Sequence, residues 1–103
     1  MNVDYGAFDT ALKAAAGDDA LLALELRASF IESAKRQISL LSRSRCDANW
    51  LHSCWRLKGL AASFGAIRLM ELAEEAALGA PGDPVIVRHL AQAFGQIEKF
   101  SED

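Results

Sequence analysis

The residues of this chain that could do chemistry are concentrated between positions 50 and 64, where the sequence is WLHSCWRLKGLAASF. His52 carries an imidazole, which can act as a nucleophile, and Lys58 carries an ammonium group that can balance negative charge. Trp55 belongs to a residue type that often anchors protein interfaces. These side chains predict the binding of an anionic partner, provided that one surface presents them together.

A helix over this segment would place them on the side that faces away from a core. With a rotation of about 100° per residue, Cys54, Leu57, Ala61 and Phe64 fall within about 40° of Trp50, so this stripe is the predicted buried side. The candidate partner-binding residues lie on the other sides of the helix: His52, Trp55, Arg56, Lys58, Gly59, Ala62 and Ser63.

Gly59 and Trp55 are unusual residues for an outward-facing helix surface. A glycine inside a helix costs about 1 kcal/mol relative to alanine, so its presence predicts that something approaches the backbone closely. An exposed tryptophan likewise predicts a partner surface. The alternative is that Trp55 folds back onto the first helix, around Tyr5 or Phe8.

Other site chemistry is weakly supported. Cys46, His52 and Cys54 match no zinc-ligand spacing, and Cys54 should face the core while His52 faces away. His89 is interpreted as a structural or surface residue. The sequence holds no glycine-rich phosphate loop and no nucleophile elbow. We therefore expect no metal, no other cofactor and no enzymatic activity.

Charge is distributed unevenly along the chain. The net charge is −3, yet seven basic residues and one acidic residue lie between Lys35 and Arg68. This basic zone predicts an anionic partner, and the alternative is a solvated face without a partner. Because the chain is acidic overall and shows no recognition-helix pattern, a nucleic acid is not the expected partner.

Composition predicts an all-α protein. The 103 residues are enough for one domain, 1–103, and 19 Ala and 14 Leu far outnumber the nine Ile, Val and Thr residues. A short N-terminal helix is expected before Gly17. Four amphipathic helices should follow, over about 18–43, 47–65, 66–78 and 84–100, and the predicted N-caps are Asp18, Asp47 and Asp83. Short loops favour an antiparallel four-helix bundle.

Apolar residues recur at helical spacing along two of these segments. The stripe of the second helix is Leu22, Leu26, Phe30, Ala34, Ile38 and Leu41. The stripe of the last helix is Ile86, Leu90, Ala93, Ile97 and Phe100.

Several features predict a cytoplasmic location. The N-terminal residues lack a basic region and carry Asp4 and Asp9, so they do not resemble a secretory signal. No apolar run is long enough to span a membrane. Cys46 and Cys54 are separated by about 12 Å along one helix, which is too far for a disulfide.

The segment CWRLKGLAASFGAIRLMELAEEA resembles the signature of histidine-containing phosphotransfer (HPt) domains. Leu57, Lys58, Gly59, Gly65 and Ala66 match the family's pattern in place, and a weaker likeness over residues 8–30 extends it to most of the chain. The resemblance implies a four-helix bundle that docks a response-regulator receiver domain or a histidine kinase. It also implies that the family's phosphorylated histidine falls on Trp55.

That substitution changes the expected function. The indole nitrogen is a hydrogen-bond donor only, so Trp55 cannot accept a phosphoryl group. The sequence therefore predicts a pseudo-HPt module that binds a receiver domain or a kinase without relaying phosphoryl. Two alternatives stay open: phosphotransfer through His52, three residues before Trp55, and a symmetric homodimer built on the exposed tryptophan.

Overall fold

The computed structural model describes the backbone of residues 3–44 and 46–101 and the side chains of residues 6–44 and 46–99. Every regular element in these ranges is an α-helix, so the all-α prediction is confirmed. The helices are α1 (Val3–Ala16), α2 (Ala20–Arg43), α3 (Asp47–Ser63), α4 (Ile67–Leu78) and α5 (Pro84–Ser101).

The helix starts show which capping predictions were right. Asp19, and not Asp18, caps α2, because its side chain accepts a hydrogen bond from the Leu22 N–H at 3.0 Å. Asp47 is the first residue of α3 and not its cap, a position that still favours an acidic side chain. Asp83 Oδ1 accepts from the Val85 N–H at 2.9 Å, which confirms that capping prediction.

α2, α3, α4 and α5 form a ring of contacts in which each helix packs against two others. α3 packs against α2 and α4, and α5 packs against α4 and α2. α1 contacts α2, α4 and α5. With 14 residues α1 is longer than the 12-residue α4, so the expectation of a short first helix was wrong. Its length is explained by burial, since Phe8 and Leu12 both enter the core.

The buried residues follow most of the predicted stripes, with differences on α2 and α5. Leu22, at the start of α2, is 37% exposed, whereas Phe30, Ala34 and Leu41 are buried. On α5, Phe94 is buried although the predicted stripe omitted it. The side chain of Phe100 lies outside the described side chains. Large fully buried side chains from all five helices form the core: Trp50, Phe8, Phe30, Leu41, Leu57, Leu69, Leu72, Leu90 and Ile97.

Among the described residues, we find no helix with the length and apolar character needed to cross a bilayer.

Candidate functional site

α3 has the orientation that its sequence predicts. Trp50, Cys54, Leu57 and Ala61 are buried, and Phe64 is half-buried at the end of the helix. Six of the candidate residues are exposed and the seventh, Lys58, is half-buried: His52, Trp55, Arg56, Gly59, Ala62, Ser63 and Lys58.

The two tryptophans of α3 have different environments. Trp50 is 1% exposed, and its indole Nε1–H donates to the Ala76 carbonyl of α4 at 2.7 Å. Trp55 is 52% exposed. Trp50 therefore links α3 to α4, while about half of the Trp55 surface is exposed.

Phe8 does not cover Trp55. It is fully buried, and its ring centre lies 4.9 Å from that of Phe30 and 5.9 Å from that of Phe64. This aromatic cluster joins α1 and α2 to the end of α3. The Tyr5 side chain, the other neighbour considered for Trp55, lies outside the described side chains.

Lys58 lies against the Trp55 ring, with its Nζ 4.9 Å from the ring centre. The same Nζ is 4.0 Å from Glu74 Oε1 of α4. A cation over an indole face is attracted by the ring's negative quadrupole. The contacts from both sides hold a positive charge beside Trp55.

The structure explains only one of the two glycines in residues 57–66. Gly65 has a left-handed φ of +71°, and a Cβ added there would lie 3.0 Å from the Ala7 carbonyl oxygen of α1. The fold itself therefore requires Gly65. Gly59 lies inside α3, and a Cβ added there would meet no atom within 4 Å. Packing within the described residues gives no reason for Gly59, and its open surface is available to a partner.

A groove runs between α2 and α3 beside Trp55. Its volume is about 360 Å³, and it is lined by Ser33, Arg36 and Gln37 of α2 and by Trp55, Arg56 and Gly59 of α3, among others. We call it the α2–α3 groove. It brings two arginines, an aromatic ring and an uncovered stretch of helix backbone together on one surface.

His52 lines a different cavity, of about 350 Å³, together with Leu40, Arg43 and Asn49. Trp55 and Gly59 do not line this second cavity. His52 and Trp55 thus share α3 but face different neighbours on α2.

Gln37 is the feature of the groove that the sequence analysis missed. The residue is only 6% exposed, and among the described residues its Oε1 atom is buried without a hydrogen-bond partner. A signal was present, because Gln37 lies three residues after Ala34 and four before Leu41, on the buried stripe of α2.

Acidic residues neutralise part of the basic zone. Lys35 pairs with Glu98 of α5 at 3.5 Å, and Arg36 pairs with Glu32 of its own helix at 3.5 Å. These pairs are largely exposed and contribute little to stability. Arg45 lies outside the described residues. Of the three basic residues near Trp55, Arg36 and Lys58 each have a carboxylate partner, and we find none for Arg56 among the described residues.

The cysteines and the second histidine do not join this site. Cys46 is exposed and Cys54 is buried, and both are free thiols. Burial raises the pKa of the Cys54 thiol from 9.0 to about 11, which keeps it protonated and unreactive at neutral pH. Within the described side chains, 6–44 and 46–99, we find no group of His, Cys, Asp or Glu residues arranged to hold a metal ion. His89 is exposed on α5.

Comparisons of the chain with family models, with curated proteins and with solved structures gave no match. The geometry around Trp55 and the resemblance of the LKG…GA segment are therefore the basis for a functional proposal.

Proposed function

We propose that the chain is a pseudo-HPt docking module of a two-component signalling system. It binds a response-regulator receiver domain or a histidine kinase through the exposed side of α3 and does not itself carry a phosphoryl group. The observation that carries this proposal is the pairing of a 52% exposed Trp55 with Gly59, one helical turn later and open to approach.

The helix packing supports an antiparallel four-helix bundle of the HPt type. α2, α3 and α4 each contact the next helix along the chain, and α5 contacts α2, which completes a ring of contacts. Connections of a few residues between these helices favour antiparallel neighbours. In this arrangement α1 covers one part of the bundle and leaves the outer side of α3 accessible.

The chemistry of the site favours docking over transfer. An indole offers a donor N–H and no lone pair for attack on phosphorus, so Trp55 cannot form a phosphoramidate. Its ring is nevertheless suited to an interface, because tryptophan buries a large area on contact. Arg56 and Lys58 beside it would complement the acidic pocket of a receiver domain, which is a cytoplasmic partner.

A binding assay with purified receiver domains and kinases from the source organism tests this function. Trp55→Ala and Gly59→Gln should each weaken the interaction at least tenfold, because one removes the anchor and the other covers the open backbone. Leu78→Ala, at a 91% exposed apolar residue, and Ala91→Gln, on the exposed side of α5, are the matched controls. Binding to none of these partners, or binding that ignores both substitutions, contradicts the proposal.

The alternative function is phosphotransfer through His52. The cavity beside His52 contains Arg43, whose guanidinium could stabilise a phosphoryl group, and this observation keeps the alternative open. An imidazole nitrogen would attack the phosphorus of an aspartyl phosphate, and the aspartate carboxylate would leave. Transferred phosphoryl that is lost in His52→Ala and kept in His89→Ala would establish it, and absence of transfer would remove it.

A further inference from the structure

The α2–α3 groove contains a polar atom that the chain itself does not satisfy. Gln37 is 94% buried, and its Oε1 has no hydrogen-bond partner among the described residues. Buried polar groups of folded proteins are nearly always paired, so an orphaned one calls for an explanation. Gln37 also lines the groove, so a molecule bound there could supply the missing hydrogen-bond donor.

The terminal torsion of a glutamine side chain is broad, so the amide can turn with little strain. In the unbound chain Oε1 is covered. Because Gln37 lines the groove, a turn about this torsion could bring Oε1 within reach of a donor from a bound molecule. The partner must therefore supply an N–H or O–H group at this point.

The rim of the groove specifies the charge of the same molecule. Arg36 and Arg56 line it from opposite helices, and Glu32 offsets only one of these charges through its contact with Arg36. Guanidinium groups bind carboxylates with two parallel hydrogen bonds. An acidic stretch of polypeptide carries both carboxylates and backbone N–H donors, so it fits both requirements.

We propose that the α2–α3 groove binds an acidic peptide segment of the docking partner. Its carboxylates contact Arg36 and Arg56, and one of its backbone N–H groups donates to Gln37 Oε1. This inference rests on the docking function proposed above, because Trp55 and Gly59 line the same groove. It adds which side of Trp55 the partner occupies and what chemistry the partner brings there.

Three capped peptides test the groove without any assumption about the partner's identity. The probe is acetyl-Gly-Asp-Asp-Gly-amide, the neutral control replaces both Asp by Asn, and the third peptide is the acidic one with N-methylated backbone. We expect saturable NMR shifts at Ser33, Gly59 and the Gln37 side-chain amide with the first peptide only. Equal shifts with the neutral or the N-methylated peptide, or none with the acidic one, would overturn the inference.

Gln37→Met separates binding from a structural role. It removes an orphaned buried acceptor while preserving length, so the thermal midpoint should hold or rise. The affinity for the acidic peptide should nevertheless fall about fivefold through loss of one hydrogen bond. Arg56→Gln should weaken binding further, and Arg88→Gln, the same charge change on α5 outside the groove, should leave it unchanged. An affinity in Gln37→Met equal to that of the parent chain contradicts the proposal.

The same variants distinguish this inference from the docking function. If receiver domains bind the parent chain, Gln37→Met and Arg56→Gln equally well, the groove proposal fails and the docking function stands. If no receiver domain or kinase binds but the acidic peptide still shifts Gln37 and Gly59, the groove stands and the docking partner belongs to another class.

Discussion

The ammonium group of Lys58 lies 4.9 Å from the centre of the Trp55 ring and 4.0 Å from a carboxylate oxygen of Glu74. One side chain thus links the exposed ring of α3 to α4. The ammonium group lies against the exposed aromatic surface of this helix, and the Glu74 carboxylate offsets part of its charge. An anionic partner that covers Trp55 would meet this charge at the same time.

Lys58→Met tests the role of that charge. The stem remains, but the cation–π contact and the ion pair are lost, so the free energy of unfolding should fall by no more than about 1 kcal/mol. The association rate with an acidic partner should fall and lose part of its salt dependence. Stopped-flow kinetics at two salt concentrations measure this. Lys13→Met, which removes the exposed pair with Asp9 on α1, is the control and should leave the rate unchanged.

Substitution of the two tryptophans should change the free energy of unfolding by different amounts. Trp55→Ala should change the free energy of unfolding by about 1 kcal/mol or less, because half of the side chain is already exposed. Trp50→Phe should cost about 1–3 kcal/mol, because it leaves a gap in the core and removes the hydrogen bond to Ala76. Chemical denaturation of both variants checks the difference. A large loss in Trp55→Ala would mean that its ring is packed and not displayed.

The glycines of the LKG…GA segment give a third prediction. Gly65→Ala should destabilise the chain by about 1–3 kcal/mol, because φ is +71° and the new Cβ would press on the Ala7 carbonyl. Gly59→Ala should stabilise it by about 0.5–1 kcal/mol, because alanine is the better helix former and space is open. Thermal unfolding measures both.

Gly95→Ala is the matched control for Gly59→Ala, since Gly95 lies inside α5 and also has no atom within 4 Å of an added Cβ. Both substitutions should stabilise the protein similarly. Only the change at Gly59 should affect partner affinity. Equal affinities in the two variants would remove the assignment of Gly59 to the docking surface.

Cys54 should make stability depend on alkaline pH. Burial raises the pKa of its thiol from 9.0 to about 11, so between these values the native chain holds a proton that the unfolded chain has released. The contribution of the protonated thiol is complete below pH 9 and is lost as the pH rises toward 11. The free energies of unfolding of the parent chain and of Cys54→Ala, measured across this pH range, separate the contribution of this thiol from those of other groups. A stability difference between the two that does not change with pH would contradict the assignment.

Local rules were enough to predict the helices and the orientation of α3. Apolar spacing placed Trp50 and Leu57 inside and Trp55 outside, because a single helix with one buried stripe has few ways to turn. Asp18 and Asp19 are both suitable capping residues. Asp19 is the cap because its side chain accepts the hydrogen bond from the Leu22 N–H. Cap positions are therefore harder to predict than helix faces.

Contacts between helices could not be predicted in the same way. The bond from Trp50 to Ala76, the approach of Glu74 to Lys58 and the burial of Gln37 depend on how neighbouring helices are rotated and spaced. Helix rotation and spacing result from the packing of all five helices together, so the spacing of residues within one helix does not predict them. The α2–α3 groove could not be predicted for the same reason, since its two walls belong to different helices.

The position of Trp55 is tested most directly by measuring phosphoryl transfer to Trp55→His. Parent chain and variant are each incubated with phosphorylated receiver domains, and acid-labile phosphoryl on the chain is quantified. If Trp55 occupies the place of a relay histidine, the parent should acquire none and the variant should acquire it. Labelling of the parent chain, or a variant that binds the receiver domain and stays unlabelled, would contradict the account.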